Sequence, residues 1–404
     1  MKRTAFLPAA VSLMACAALA FLPACEKEEP TTVYDPGAGG SAAPVITSVD
    51  PAGSAFGGVT EVTLNGQNFS SVDTANVVYF GNRSAAVLSA SPTRLVVLPP
   101  DTDATGLTIS VAVPGAYAMA QFGPYKLERA SVEYGGFKDL DQVYSIALDA
   151  SENLYAQLKD TAQVNIVPPN GTGTKYGKLA GFPKASDMKI GPGGYLYLQQ
   201  TNSTSLHRMD PGGGTTSLYV TLPGKASAID FDSSGNIFAG GAGAGLFVVN
   251  PNKATREVGS YRNKTIKSIR VFSGYVYVAV SAPQGGIWRN KILTTAGALD
   301  TNQLYYDWTK APGTFSAAPV KYVAIAEDGD LYVGTDNTDP ILLVHPDGSA
   351  ETLYPSVLKP PLEQLVWGPS TYLYQNRYSS TVPSIRRVIK IGMGKKGAPD
   401  FGWK

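Results

Sequence analysis

The sequence predicts an all-β protein in which a small β-sandwich is followed by a six-bladed β-propeller. The first observation is a recurring motif, in which an inner apolar run such as Ser145-Ile146-Ala147-Leu148 precedes a pair of the Leu154-Tyr155 type. Its copies are anchored on Leu154, Leu196, Ile237, Val276, Leu331 and Leu373, at steps of 42, 41, 39, 55 and 42 residues. A period of roughly 40–45 residues with four strand-like runs per unit is typical of propeller blades. The second observation is a series of short β-prone runs before residue 128, separated by Gly, Pro and Asn, which predicts the sandwich.

Length and composition agree with this division and exclude several functions. A chain of 404 residues exceeds what one compact core usually holds, so two domains are expected, and an apolar content of 44% supplies both cores. The formal net charge of +1 gives no electrostatic signature of a nucleic-acid partner. Both cysteines, Cys16 and Cys25, precede the predicted domains, which therefore have no disulfide and no thiolate metal site.

The first 24 residues predict a lipoprotein signal peptide. Lys2 and Arg3 precede the apolar run 5–22, and Leu22-Pro23-Ala24-Cys25 resembles the bacterial lipobox, in which the cysteine is lipidated and becomes the first residue. Cleavage at the competing Cys16 would leave an apolar stretch on the mature chain. The alternative is an ordinary secreted protein with a fortuitous cysteine.

Residues 25–43 are predicted to be the acylated Cys25 and a flexible Pro/Gly/Ser-rich tether. The charged run at residues 26–29 resembles the surface-export signal of lipoproteins in some Gram-negative bacteria, and a tether that simply hydrates the chain is the alternative. The expected location is the outer membrane, with the protein exposed at the cell surface and attached by its lipid.

Residues 44–128 form the predicted sandwich. The stretch Pro44–Pro51, the pair Gly57-Gly58, the run Leu64–Phe69 and the segment Val78–Gly81 resemble the IPT/TIG immunoglobulin-like family. The resemblance implies an immunoglobulin-like fold. Domains of this kind act as spacers, adhesion modules or glycan contacts, and the spacer role is expected here because the region has no cluster of polar and aromatic residues.

Residues 129–404 form the predicted propeller, whose motif resembles NHL and related six-bladed propellers. We expect residues 131–137 to supply the outer strand of the last blade and so close the ring, which leaves no open sheet edge. The alternative is that residues 399–402 form that strand. The fourth unit contains an insertion around residues 293–308, which we expect to project from one face.

Candidate ligand-binding residues come from the loops that a propeller presents on one face. They are Phe137, Asp139, Phe182, Lys184, Arg262, Lys264, Trp308, Lys310, Asp336, Arg377 and Tyr378. The aromatic rings suit stacking on sugar rings, and the recurrent lysines suit an anionic glycan or an acidic partner. Packing of the aromatic residues and solvation of the lysines are the alternatives.

Charged residues also recur within the predicted inner strands. Lys189, Asp230 and Arg270 occupy the same position in three consecutive inner strands and are expected to meet at the central channel, as a structural ion network or as a substrate-binding cluster. Asp187 is a further expected channel charge, and together with Asp230 it could ligate a hard cation, although a matching Glu is missing.

The leading hypothesis is a lipid-anchored surface protein whose propeller face binds a glycan or a protein partner. A calcium-dependent lactonase or hydrolase is the second hypothesis, with no cofactor other than this possible Ca²⁺. Gluconolactonase-like propellers hold a cation with Glu, Asn and Asp, but their early Glu-Gly-Pro segment is replaced here by Gly136-Phe137-Lys138. His207 and His345 lie away from the predicted ligand face, which disfavours a Ser-His-Asp triad. A structural component of an envelope complex is the third hypothesis.

Overall fold

The computed structural model describes residues 40–243, 245–261, 263–281 and 285–403. Cys25 and the predicted leader and tether up to residue 39 lie outside these residues. Within the described ranges the chain is built from β-strands, and its helices are single 3-10 turns at Asp73–Ala75, Pro192–Gly194, Trp308–Lys310, Gly313–Ala317, Pro383–Ile385 and Phe401–Trp403. None of the helices in these ranges has the length and apolar character needed to cross a membrane.

The first domain is a sandwich of two sheets that share one strand. Its strands are β1 (Val45–Asp50), β2 (Ser54–Gly57), β3 (Val62–Gln67), β4 (Val77–Phe80), β5 (Arg83–Ser91), β6 (Arg94–Leu98), β7 (Ala104–Ala112) and β8 (Ala120–Arg129). One sheet has the order β1-β3-β6-β5, and the other continues from the start of β5 through β4, β7 and β8 to β2. Their inner faces bury apolar side chains such as Leu64, Phe80 and Tyr125. The sandwich predicted from sequence is confirmed.

Six four-stranded blades follow in the described part of the chain, and the predicted propeller is confirmed. The short strand β9 (Ser131–Tyr134) comes first in the chain. Blade 1 is β10 (Val143–Leu148), β11 (Leu154–Leu158), β12 (Gln163–Val167) and β13 (Thr174–Lys178). Blade 2 is β14 (Ala185–Ile190), β15 (Leu196–Gln200), β16 (Ser203–Met209) and β18 (Ser217–Ala226), while β17 (Gly214–Thr215) adds to the edge of blade 1. Blade 3 is β19 (Ala228–Phe231), β20 (Ile237–Gly240), β21 (Leu246–Val249) and β22 (Thr255–Gly259).

The second half of the ring repeats this order. Blade 4 is β23 (Ile266–Phe272), β24 (Tyr275–Val280), β25 (Gly286–Lys291) and β26 (Gln303–Asp307). Blade 5 is β27 (Tyr322–Ile325), β28 (Leu331–Gly334), β29 (Ile341–Val344) and β30 (Ala350–Thr352). Blade 6 is β31 (Gln364–Trp367), β32 (Tyr372–Arg377) and β33 (Arg387–Gly392), completed by β9. An apolar cluster fills the space between every two neighbouring blades, so the core is a closed ring of sheet-on-sheet contacts.

The ring closes where the sequence predicts. Strand β9 pairs antiparallel with β33, with Tyr134 opposite Val388 and Ser131 opposite Ile391. Because β9 directly follows the sandwich, the closing blade joins the two ends of the propeller segment and removes an open edge. The alternative closure through residues 399–402 is wrong, since those residues lie at the channel.

The insertion in blade 4 does not project, which corrects the expectation from sequence. Residues 293–302, between β25 and β26, fold back against blade 3. There the side-chain amides of Asn236 and Asn250 donate hydrogen bonds to the carbonyls of Thr295 and Ala296, each at 2.9 Å. These bonds satisfy loop carbonyls that would otherwise need water.

The sandwich contacts the propeller at one end of blade 6. Inner strands begin on one face of the propeller, which we call the mouth face, and end on the other, which we call the opposite face. Gly392 lies at the opposite-face end of β33, and a Cβ atom there would come within 2.2 Å of the Phe56 ring of the sandwich. Only Ala130 separates β8 from β9, and its carbonyl accepts a hydrogen bond of 2.8 Å from the Gly392 amide. The mouth face is therefore free of the sandwich.

Candidate functional site

A cavity of about 330 Å³ opens at the centre of the mouth face. Each blade contributes to it the residue that directly precedes its inner-strand motif. In blade order, these residues are Tyr144, Ser186, Ser227, Lys267, Lys321 and Glu363. Thr201, Asn202, Thr265 and Tyr322 complete much of the remaining wall. The lining is thus mainly hydroxyl, amide and charged groups.

Each of these residues lies where the regular pairing of the inner strand is interrupted or has not yet begun. In blades 1, 2 and 4 the ladder between the first and second strands skips Tyr144, Ser186 and Lys267. In the other blades the rim residue comes just before the first paired residue of the ladder. In blade 5, for example, the pairing begins at Tyr322, and the amide of the preceding Lys321 donates to the Gly334 carbonyl at 2.9 Å. A bulge re-aims a side chain and ends regular pairing. In every blade the rim residue is thus outside the regular inner-strand ladder, which explains why one residue per blade lines the cavity.

Buried amide side chains hold the rim in place. Gln157 donates to the Pro183 carbonyl at 3.1 Å and accepts from the Ala185 amide at 3.2 Å. Asn376, at the equivalent position of blade 6, donates to the Val143 carbonyl at 3.0 Å. Gln199 makes the corresponding bond from blade 2, to the carbonyl of Ala226 at 3.3 Å. Each bond ends on a residue at, or two residues before, the start of the next inner strand, so these amides position the mouth.

The charges at the mouth are unevenly distributed. The Lys321 ammonium lies 2.7 Å from an Asp336 carboxylate oxygen and 3.7 Å from a Glu363 oxygen. Burial raises the pKa of Glu363, and the positive charges of Lys321, Lys267 and Lys184 oppose that rise. All three ammonium groups therefore act on the same small space above the channel.

Two tyrosines and two lysines form a second cluster on the rim. The rings of Tyr144 and Tyr378 meet edge to face, with centroids 5.2 Å apart. The Lys184 ammonium lies 4.7 Å from the centroid of the Tyr144 ring and 3.4 Å from its hydroxyl. The Lys159 ammonium donates to the Tyr378 hydroxyl at 3.3 Å. Because Lys184 already lies over the Tyr144 ring, this wall of the cavity offers charge and hydrogen bonding rather than an open stacking face.

A buried polar layer lies directly below the cavity. Asp187 accepts hydrogen bonds from the backbone amides of Ile229 and Met188, each at 2.9 Å, and from the Gln364 amide, also at 2.9 Å. The Tyr322 hydroxyl lies 3.4 Å from the same carboxylate. Burial raises the pKa of Asp187 to about 6. The backbone bonds satisfy the exposed edge of the next inner strand, so this aspartate is a structural element of the channel.

A second buried layer lies nearer the opposite face and contains four charges. Arg270 lies 2.8 Å from Asp230 and 3.5 Å from Asp400. Lys189 lies 3.8 Å from Asp230 and 4.0 Å from Asp400. Burial alone would raise the pKa of Asp400, but the charges of Arg270 and Lys189 hold it below its ordinary value. The predicted meeting of Lys189, Asp230 and Arg270 is thus observed, with Asp400 as a partner that the motif did not reveal.

Residues 396–403, here called the channel segment, occupy that end of the channel. The Ala398 amide donates to the Ile325 carbonyl of blade 5 at 2.8 Å, and Arg270 donates to the Ala398 carbonyl at 2.9 Å. Phe401 packs on Phe231 of blade 3, with ring centroids 5.5 Å apart. The mouth cavity therefore has its entrance on the mouth face.

These carboxylates do not fit the calcium site that gluconolactonase-like propellers suggest. Both oxygens of Asp187 already accept hydrogen bonds from N–H groups, and Asp230 accepts from Arg270 and from the Val271 amide. A hard cation needs several free oxygen ligands, and here it would sit beside a buried lysine and arginine. Within the described ranges no group of three or more His, Cys, Asp or Glu side chains is arranged to hold a metal ion.

The candidate ligand residues are distributed over several environments. Lys184, Asp336 and Tyr378 lie at the mouth, where they contact Tyr144 or Lys321. The aromatic candidates Phe137, Phe182 and Trp308 are 8%, 4% and 4% exposed and pack within the blade clusters.

The remaining candidates lie away from the cavity. Asp139 pairs with Arg387 at 2.8 Å, and Arg377 donates to the Pro360 carbonyl at 2.7 Å. Lys264 lies over the Trp288 ring at 5.1 Å, and Lys310 lines an outer groove that it shares with Tyr305. Arg262 lies outside the described residues. For all of these positions a role in ligand binding stays a prediction.

Comparison with known proteins defines the class of protein. Residues 44–127 match the family model of the IPT/TIG domain, so the chain is an IPT/TIG domain joined to a six-bladed propeller. No curated relative matches the chain.

Solved structures share all or part of this architecture at low identity. An auxiliary nutrient binding protein from Bacteroides thetaiotaomicron is 14% identical, with a TM-score of 0.53 over 89% of this chain and 99% of that chain. A putative phosphatase from the same organism is 12% identical, with a TM-score of 0.58 over 89% of this chain and 98% of that chain. A gluconolactonase from Xanthomonas campestris is 11% identical, with a TM-score of 0.51 over 65% of this chain and 89% of that chain. Three different names on one fold show that the likeness concerns architecture, and function must be argued from the site.

Proposed function

We propose that this protein is a lipid-anchored cell-surface binding protein that takes a glycan into the propeller mouth, with the IPT/TIG domain as a spacer. The observation that carries the proposal is the cavity at the channel mouth, to which all blades contribute one rim residue. Its volume of about 330 Å³ is near the lower end of the range for small-molecule sites and suits roughly one or two sugar units. The auxiliary nutrient binding protein from Bacteroides thetaiotaomicron, with its similar architecture, supports a binding function.

The lining has the chemistry that sugar hydroxyls need. Ser186, Ser227 and Thr265 bring hydroxyl groups that both donate and accept, and Asn202 brings an amide. Ser145 and Ser268, at the motif position immediately after the rim residues, are fully buried and their hydroxyls lack a hydrogen-bond partner. A ligand or a water that enters the channel would satisfy them, because buried polar groups are rarely left unpaired.

The domain arrangement supports presentation of this mouth away from the membrane. The IPT/TIG domain contacts blade 6 at the opposite face, near Gly392, and its first strand begins at Val45, just after the predicted tether. A chain anchored through Cys25 would therefore approach the propeller from the side remote from the cavity. This geometry leaves the mouth accessible to large polysaccharides.

Glycan binding is tested with the chain from residue 26 onward and a variant that fills the mouth. We expect Ser227→Trp to abolish binding of whatever glycan an array identifies, because an indole would occupy the cavity. The matched control is Ser217→Trp, an exposed position on the outer strand β18, which should bind normally. Absence of any glycan bound by the parent chain contradicts the proposal. Whole-cell crosslinking to one protein, in place of glycan binding, would instead favour the envelope-complex hypothesis.

Anchoring is tested separately with Cys25→Ser in the full-length chain. We expect the substitution to abolish incorporation of labelled fatty acid and to release the protein from the membrane fraction. Protease added to intact cells should digest the parent protein if it is exposed at the surface. Unchanged membrane association of the variant would refute lipidation at Cys25, and protection from protease would refute surface exposure.

A further inference from the structure

The cations at the mouth differ in whether a carboxylate neutralises them. Lys321 is paired with Asp336 at 2.7 Å and lies 3.7 Å from Glu363. In the part of the chain that the structure describes, Lys267 and Lys184 have no carboxylate within 4.0 Å. The rim therefore carries positive charge that the described residues leave uncompensated.

These two lysines come from different sides of the ring. Lys267 precedes the motif of blade 4, and Lys184 lies just ahead of the rim position of blade 2. Lys184 is held by the Tyr144 hydroxyl at 3.4 Å and by the face of the same ring, so its ammonium has a defined place at the cavity wall. Lys267 lines the cavity and is exposed, so it is free to reach a bound group.

Glu363 is the carboxylate among the six rim residues, and it lies within the influence of the mouth lysines. The positive charges of Lys321, Lys267 and Lys184 favour the ionised form of Glu363, whereas burial and the Asp336 carboxylate raise its pKa. An acidic group of a ligand in the same cavity would be attracted by the same ammonium groups. In a recessed site such charge-assisted contacts are stronger than on open surface, because screening by water and salt is reduced.

We propose that the mouth selects a negatively charged sugar, whose carboxylate or sulfate group pairs with Lys267 and lies within reach of Lys184. The hydroxyls of Ser186 and Ser227 then contact the neutral part of the same ligand. This inference rests on the proposed glycan-binding function and adds the charge class of the ligand to it.

The test compares the affinity of the protein for acidic glycans with its affinity for uncharged derivatives that have the same sugar backbone. Each uronic-acid oligosaccharide is paired with its carboxyl-reduced form, and each sulfated one with its desulfated form, so that only the charge differs. We expect at least one acidic member to bind at least about tenfold more tightly than its neutral partner, in keeping with a charged hydrogen bond. The advantage should shrink as salt is added. Comparing the uronic-acid pairs with the sulfated pairs shows whether the mouth recognises a carboxylate or a sulfate group.

Variants assign the effect to the proposed lysine. Lys267→Gln should weaken binding of the acidic glycan about tenfold and leave binding of its neutral partner unchanged, whereas Lys267→Arg should retain the preference. Lys225→Gln is the matched control, because Lys225 is an exposed lysine two residues before Ser227 that does not line the cavity. Equal affinity for acidic and neutral members, or equal loss with Lys225→Gln, overturns the inference while the glycan-binding function stands. If no member of either kind binds, both fail.

Discussion

The buried ion layer at the channel makes a sharp prediction about stability. Asp230→Asn removes one negative charge from the layer and changes the shape of the side chain little. Asp230 lies 2.8 Å from Arg270 and 3.8 Å from Lys189, and the side chains of all three are at most 6% exposed. After the substitution both cations remain buried, with Asp400 as their remaining carboxylate in the layer.

The size of the effect follows from burial. Breaking a buried ion pair by removing one partner costs about 3–5 kcal/mol, because the other charge is left uncompensated in a medium that solvates it poorly. Asp400 lies 3.5 Å from Arg270 and partly compensates it, so we expect the lower end, about 3 kcal/mol. For a domain of this size that corresponds to a fall of roughly 6–12 °C in the unfolding temperature.

Urea and thermal unfolding, followed by tryptophan fluorescence and calorimetry, measure this loss. The matched control is Asp139→Asn, which breaks a bond of the same 2.8 Å length, from Arg387, but at a side chain that is 53% exposed. An exposed ion pair is worth at most about 1 kcal/mol, so this control should unfold close to the parent. The IPT/TIG transition should not move in either variant.

A double variant separates the ion pair from other effects of the substitution. Combining Asp230→Asn with Arg270→Gln removes both charges and leaves Lys189 opposite Asp400. The double variant should therefore be less destabilised than the sum of the two single variants by about 1–3 kcal/mol. Additive effects, or an Asp230→Asn variant within 1 kcal/mol of the Asp139→Asn control, would refute this reasoning.

Two further predictions concern the polar layer and the domain contact. Burial raises the pKa of Asp187 to about 6 from an ordinary 3.8, so the folded state binds this proton more tightly than the unfolded state does. The free energy of unfolding therefore falls by about 3 kcal/mol as the pH rises from below the unfolded pKa to above the folded one. The stability of Asp187→Asn relative to the parent should therefore improve between pH 4 and pH 7 in urea titrations, and a constant difference would contradict the assignment. Gly392→Leu should force the ring of Phe56 away, since even a Cβ atom would lie 2.2 Å from it. We expect faster proteolysis between the IPT/TIG domain and the propeller, with the propeller transition little changed, and an unaltered cleavage rate would show that the contact does not hold the domains together.

The fold could be predicted from sequence because its determinants repeat. Apolar runs that recur at a similar spacing, apart from the longer fourth unit, determine the strands, and glycines and Asx-type turns determine where the chain reverses. In blades 1 and 3 the same turn appears, with Asp149 and Asp232 each accepting from the amide two residues on at 2.9 Å. Closure by β9 could also be anticipated, because a propeller without it would leave an unpaired edge.

The aromatic candidates show where loop position alone misleads. Phe137 and Phe182 occupy the turns that lead into inner strands, which in a propeller face the ligand side. Their rings nevertheless turn inward and fill the spaces between blades, since a large apolar side chain at a strand junction gains more from burial than from exposure. Trp308 does the same, and its indole N–H finds the Ala318 carbonyl at 2.8 Å.

The residues that line the mouth carry a weak signal in the sequence, although the signal is regular. Tyr144, Ser186, Ser227, Lys267, Lys321 and Glu363 differ in type but each stands one position before the inner-strand motif. The repeat keeps the spacing needed for folding and leaves this position free to vary, because the residue lies outside the regular inner-strand ladder, at a bulge in blades 1, 2 and 4 and ahead of the ladder in the others. A position of constant geometry and varied chemistry is where a propeller can change its ligand without changing its fold. The position of a residue within the repeat therefore predicts the candidate binding site better than the residue types in the loops do.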